Sequence, residues 1–218
     1  MKLQAAIDRV TLDDALVLAK KLDPIVDIIE LGTSLVKDYG LVTLRNHPLN
    51  LKHAQLLLDL KTNDEGAYEF TQGFKTEADI LTAMAASSRQ TLDQVYDVTM
   101  QQGKQILIDL LEVDDQRIEQ IADLDHAIFG LHHSKDAGAG FDAVGTVAHF
   151  HERFPQIKHV AVAGGIDLDQ AKALANQGIA DTIIVGGKIS GADDPLTAAK
   201  TFMEAIHNDI NWWSCKGS

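Results

Sequence analysis

The residues with the most chemistry in them are Asp59-Leu60-Lys61-Thr62-Asn63-Asp64. They follow the apolar run Leu56-Leu57-Leu58, which reads as a buried strand ending in a loop. Side chains two apart on a strand share a face, so Asp59 and Lys61 are expected to point the same way, with Asp64 in the turn or the next helix. Two carboxylates flanking an ammonium are costly to bury unless they pair with each other, a metal or a ligand. The cluster therefore suits chemistry that creates or stabilises negative charge; a structural ion-pair network is the competing reading.

Three further groups extend this. Glu30 stands on the preceding apolar run, and a Glu30–Asp59 pair facing across neighbouring strands suits Mg²⁺, a hard ion that takes few protein ligands and keeps waters. The alternative is a carboxylate pair neutralised by Lys61. Gly164-Gly165 and Gly186-Gly187, the latter followed by Lys188, each come straight after an apolar run. Glycines let backbone N–H groups approach an anion closely, so the two pairs predict a phosphate grip, to which Lys188 adds charge. In His132-His133, neighbouring residues on a strand face opposite ways, so only one imidazole is expected to enter the site directly. His132 is the expected proton-transfer group and His133 a solvent-facing loop residue. His149 and His151 are expected on a helix surface.

Positioning such groups requires a scaffold that gathers many strand ends. Eight short apolar runs read as buried parallel strands: Leu3–Ile7, Ile25–Leu31, Ala54–Leu60, Ala78–Met84, Gln105–Leu111, Ala127–His132, His159–Ala163 and Thr182–Val185. Segments with helical spacing lie between them. Leu12, Ala15, Leu16, Ala19 and Leu22 form one stripe, with Thr11 as N-cap and Asp14 three residues later; Ala171, Leu174 and Ala175 form another, stopped by Gly178. The alternation predicts a single (β/α)8 TIM barrel over residues 1–210 with a tail at 211–218, an open doubly wound sheet being the runner-up. The polar residues of interest fall at the C-terminal ends of many different strands. A closed barrel brings these to one mouth, whereas an open sheet would spread them. Trp212 and Trp213 in the tail read as packing or interface residues.

With 218 residues, 45% hydrophobic, the chain suits one domain with a substantial core. A formal net charge of -13 argues against nucleic acid or an anionic membrane as partner, because phosphate backbones need clustered Lys and Arg. The one cysteine, Cys215, permits no intrachain disulfide. The first residues lack a signal-peptide core, and no apolar stretch has the length of a membrane span, so a cytoplasmic location is expected.

Through its D-x-K-x-x-D signature at Asp59, Lys61 and Asp64, the chain resembles the orotidine-5′-phosphate-decarboxylase superfamily. It is most similar to the branch holding 3-hexulose-6-phosphate synthase and 3-keto-L-gulonate-6-phosphate decarboxylase. The match runs from Leu3–Asp8 through Val26–Thr33 to Gly191–Pro195, and Glu30 separates this branch from the metal-independent decarboxylase that names the superfamily. The resemblance implies Mg²⁺ ligation by Glu30 and Asp59, and a contact from Asp8 to a substrate hydroxyl. It further implies an ammonium, Lys61, on a 1,2-enediolate, and proton transfer by His132. The glycine pairs become the phosphate grip, and Asp64 crosses into the partner's site of a homodimer. Both branch reactions act on phosphorylated ketoses through an enediolate. Asp109 and Ala163 stand where the synthases carry Asp and Ala and the decarboxylases Glu and Thr. The stretch His132-His133-Ser134-Lys135-Asp136 is closer to the decarboxylase His-x-Ser-Arg-Asp pattern, with Lys135 in place of the bidentate Arg. The expected activity is the synthase's addition of formaldehyde to ribulose 5-phosphate. The decarboxylase reaction and a non-catalytic sugar-phosphate binder are the alternatives.

Overall fold

Each apolar run becomes a strand: β1 (Lys2–Ile7), β2 (Ile28–Leu31), β3 (Gln55–Thr62), β4 (Ile80–Met84), β5 (Gln105–Asp109), β6 (Ile128–His132), β7 (Val160–Ala163) and β8 (Thr182–Val185). In the computed structural model, which describes residues 1–134 and 140–207, all neighbouring strands pair in parallel. Pairing of β8 with β1 closes the barrel. The intervening helices are α1 (Leu12–Leu22), α2 (Thr33–Arg45), α3 (Gly66–Gly73), α4 (Arg89–Gln102), α5 (Asp115–Glu119), α6 (Ala143–Arg153), α7 (Leu168–Gln177), the one-turn α8 (Gly187–Ser190) and α9 (Pro195–His207). This is the (β/α)8 barrel the alternation predicts. The tail at 211–218, with Trp212, Trp213 and Cys215, lies outside the described residues. Among those residues, no helix is long and apolar enough to cross a membrane.

Side-chain alternation along the strands sorts the core into two layers. Leu3, Ala5, Ile7, Ile29, Leu31, Leu56 and Leu58 point outward into the cluster shared with the helices. Ile28, Leu57, Ile80, Leu107 and Ala161 point inward and fill the barrel's lower part. Two residues further along each of these inward rows, the apolar plug gives way to Glu30, Asp59, Thr82, Asp109 and Ala163. The strand period therefore brings a side chain from each of these five strands to the C-terminal mouth.

Local signals fix the helix ends. Thr11 caps α1 by accepting from the Asp14 N–H, and Asp167 with Gln170 forms a capping box on α7, which ends at the left-handed Gly178. Some strand boundaries differ from the sequence reading. Strand β2 begins at Ile28, because Asp27 turns aside to accept the Leu3 N–H at 2.9 Å. Strand β3 does not stop at Leu60; it runs to Thr62 through an irregular step, described below.

Candidate active site at the mouth of the barrel

The C-terminal ends of the strands enclose a cavity of about 280 Å³. Of the residues singled out from sequence, Asp8, Glu30, Asp59, Lys61, Asp109, His132, Ala163, Gly164, Gly165 and Gly186 all line it.

A chain of charged contacts crosses its floor. The Lys61 ammonium lies 3.1 Å from Asp59 Oδ2 and 2.8 Å from Asp109 Oδ2. The same Asp109 oxygen sits 2.9 Å from His132 Nδ1, while Asp109 Oδ1 accepts the Leu111 N–H at 3.0 Å. Burial alone would raise the Asp109 carboxyl. The hydrogen bond from His132 and the charge of Lys61 outweigh it and hold the pKa down to about 2. Burial likewise opposes charge on Lys61, yet Asp59 and Asp109 keep its pKa above the ordinary lysine value. An ionised Asp109 can only accept, so His132 Nδ1 carries the hydrogen and Nε2 is the ring nitrogen left for other partners.

Glu30 completes the charged set from β2. Burial, and then the negative charge of Asp59, push its carboxyl well above the usual carboxylate range, with the Gln4 amide donating to Oε2 at 2.7 Å as a partial counterweight. Glu30 and Asp59 are two buried carboxylates side by side, with one ammonium, Lys61, on Asp59 alone, and their hard oxygens fit a hard divalent cation. Among the described residues, no group of three or more His, Cys, Asp or Glu side chains is arranged to hold a metal. The fit is thus to an ion that takes two protein carboxylates and fills its remaining positions from water or substrate.

The rim is built from backbone as much as from side chains. Asp8 lies at the N-terminus of α2, where its Oδ1 accepts from the Ser34 N–H at 3.2 Å and the Ser34 hydroxyl at 2.7 Å. It packs so tightly on Gly32 that a Cβ there would fall 2.2 Å from the carboxylate. Gly164 adopts φ +125°, and a Cβ would fall 2.6 Å from that of His133; Gly165 adopts φ +70°. These glycines are required by conformation and by close approach. Lys188 does not line the cavity: it borders a separate depression with Asp167, Asp169 and Thr201, on the side of α7 and α9. Gly187, the first residue of α8, is also outside the lining. Asp64 is exposed in the loop before α3, its Oδ1 accepting the Glu65 N–H at 2.8 Å, and it does not reach this chain's own cavity. Lys135 lies outside the described residues.

Several lining residues were not legible as site residues. His133 was expected to face solvent; instead it lines the cavity, half-buried and stacked on Phe141 with ring centroids 4.8 Å apart. Strand β6 ends at His132, so alternation no longer governs its neighbour. Gln4, Thr33, Thr82 and Ser134 also line the cavity. Gln4 and Thr82 are polar residues on inward strand positions, a signal the alternation carries once the register is known. Thr33 donates to Asp59 from the first turn of α2, which strand patterning cannot reveal. His149 and His151 are exposed on α6, as expected.

Comparison with known proteins gives a concordant result. A protein of Staphylococcus haemolyticus named 3-hexulose-6-phosphate synthase is 34% identical over 212 residues, spanning 94% of this chain and 99% of that one. A solved 3-hexulose-6-phosphate synthase superposes with a TM-score of 0.84 at 33% identity, covering 94% of this chain and 100% of the other. A 3-keto-L-gulonate-6-phosphate decarboxylase from Vibrio cholerae superposes with a TM-score of 0.81 at 26% identity, covering 95% of this chain and 97% of the other. Residues 1–202 match the family described as orotidine 5'-phosphate decarboxylase / HUMPS, and to that family the chain belongs.

Proposed function

We propose that the chain is a carbon–carbon lyase that reversibly adds formaldehyde to ribulose 5-phosphate through a 1,2-enediolate. The observation that carries this reading is the unbroken chain Asp59–Lys61–Asp109–His132, which sets an ammonium and an imidazole on one shared carboxylate at the barrel mouth. Glu30 and Asp59 would hold Mg²⁺, which when bound supplies Lewis-acid stabilisation of the enediolate oxygens.

The remaining roles follow from what each group has left to offer. An ammonium has three donors; Lys61 directs two at Asp59 and Asp109, and the third serves a substrate oxyanion. His132 Nε2 takes the proton from C1 of ribulose 5-phosphate, and the C–H electron pair becomes the enediolate. C1 then attacks the formaldehyde carbon, the carbonyl pair moves to oxygen, and that oxygen recovers the proton from Nε2. Asp109 holds the Nδ1 hydrogen throughout and stabilises the imidazolium that forms between the two steps. Gly164, Gly165 and Gly186 present backbone to the phosphate, as loops after the last two strands do in many barrels. Asp64, exposed and outside its own cavity, is assigned to the site of a second copy in a homodimer.

Purified protein given Mg²⁺, ribulose 5-phosphate and formaldehyde should consume both substrates. Ser134 on the cavity wall keeps the decarboxylase reaction as the second reading. Inertness toward formaldehyde together with CO₂ release from 3-keto-L-gulonate 6-phosphate would decide for it.

A further inference from the structure

Thr82 stands where the β3–β4 ladder breaks. Leu58 pairs with Leu81 and Thr62 with Ala83, so Asp59, Leu60 and Lys61 together face the single residue Thr82. The slack is taken up at Lys61, whose φ of +49° lies in the left-handed region that non-glycine residues rarely adopt. A bulge of this kind takes the Lys61 N–H away from any ladder carbonyl, and the Thr82 hydroxyl accepts it instead at 2.9 Å. Having accepted there, the hydroxyl gives its own hydrogen to Asp59 Oδ1 at 2.7 Å. Thr82 is 3% exposed, so its hydroxyl makes these two contacts at the edge of the core.

We propose that Thr82 is a positioning residue: its hydroxyl holds the strained Lys61 backbone and the Asp59 carboxylate in one geometry, and so fixes how ammonium and carboxylate are presented to the substrate. The inference rests on the function proposed above for Lys61 and Asp59. Three features support it. The hydroxyl accepts the Lys61 N–H at the break in the ladder. It contacts both residues at once. It also sits beneath the only left-handed residue among the described charged residues that line the mouth. Valine would serve a buried strand equally well by shape and strand preference, so what threonine adds is the oxygen.

The test compares Thr82→Val, which keeps the volume, with Thr82→Ser, which keeps the hydroxyl. Two readouts are taken: hydrogen exchange at the Lys61 amide, and steady-state kinetics with Mg²⁺, ribulose 5-phosphate and formaldehyde. In Thr82→Val the Lys61 amide should exchange at least about tenfold faster than in the parent, whereas Thr82→Ser should retain protection. Misplacing the two charged groups should lower kcat by about 100-fold in Thr82→Val, leave KM within about threefold, and be largely reversed in Thr82→Ser. A Thr82→Val protein with parental amide protection, or with parental kcat, overturns the proposal. If Thr82→Val does not fold, Thr82→Ala provides the same comparison without added bulk. If the parent turns over neither sugar phosphate, the functional reading fails, while amide exchange still decides the role of Thr82.

Discussion

Asp109→Asn is the substitution that most directly probes the site's electrostatics. The side chain keeps its size, so what changes is one charge and one acceptor. Asp109 Oδ2 accepts from Lys61 at 2.8 Å and from His132 at 2.9 Å, and Oδ1 accepts from the Leu111 N–H at 3.0 Å. An asparagine can place its NH₂ toward Leu111 or toward the Lys61–His132 pair, and either choice sets donor against donor in a pocket where Asp109 is 4% exposed. The carboxyl's descent from 3.8 to about 2, which the His132 hydrogen bond and Lys61 impose against burial, corresponds to roughly 2.5 kcal/mol of native-state stabilisation. Because the native pKa is depressed, that contribution is complete above the unfolded value near 3.8 and is lost as pH falls through about 2. Urea unfolding at pH 7 should therefore show Asp109→Asn less stable by about 2–3 kcal/mol, with the gap to the parent narrowing below pH 4. Turnover should fall by about 10²–10⁴-fold, the usual scale for disabling general acid–base catalysis. Equal stability at pH 7, or a gap that does not narrow in acid, would refute the assignment of Asp109 as the shared acceptor.

Further outcomes follow from the same geometry. Glu30, pushed up to about 8 by burial and then by Asp59, retains its proton in the metal-free protein at pH 7. Mg²⁺ binding should thus release about one proton and tighten as pH rises toward 8, read by calorimetry in buffers of different ionisation enthalpy; zero protons at pH 7 contradicts this. The same raised pKa makes Glu30 reduce the metal-free fold's stability as pH climbs from 4.5 through about 8, so added Mg²⁺ should raise Tm more at pH 8 than at pH 5. Gly164→Ala forces a Cβ to 2.6 Å from that of His133 at a φ of +125°; it should cost about 1–3 kcal/mol and raise KM for the sugar phosphate, and an unchanged KM would remove Gly164 from the phosphate loop. Lys61→Ala and Asp64→Asn chains, each inactive alone, should recover about a quarter of parental activity when mixed, since half the dimers carry one intact composite site. No recovery would show that Asp64 does not act across a dimer.

How far the sequence could be read depended on which physical rule governed each position. Strand periodicity was sufficient for Glu30, Asp59, Asp109 and His132, because an inward row of a closed barrel admits little variation once its apolar residues are identified. It failed one residue past the end of β6, where His133 joins the wall through its stack on Phe141 and its packing on Gly164. Lys61 was aimed correctly for an incomplete reason. A straight strand puts positions 59 and 61 on one face, but Lys61 reaches Asp59 from a left-handed backbone that no propensity rule announces. Lys188 shows the reverse case. Charge next to a Gly-Gly pair suggested the phosphate, yet the first turn of α8 carries that side chain toward Asp167 and Asp169. Hydroxyl groups such as Thr33 and Thr82 were silent because threonine is an ordinary strand and helix-start residue until its partner is known.

The length of the side chain at position 109 links the geometry to the choice of reaction. Asp109 leaves β5 paired with Met84 on one side and Gly130 on the other, and from that fixed backbone it reaches Lys61 and His132 with one oxygen. A glutamate there would extend its side chain by one C–C bond, about 1.5 Å, and shift where its carboxylate meets Lys61 and His132. With aspartate, the carboxylate stays on the floor and its hydrogen bonds are spent on the imidazole and the ammonium. In the reaction proposed above, that leaves the mouth over it to a second carbon fragment and the proton to His132. The 2.8 and 2.9 Å contacts of Asp109 are those of the shorter acid, the arrangement that suits the proposed proton removal and addition of a one-carbon electrophile.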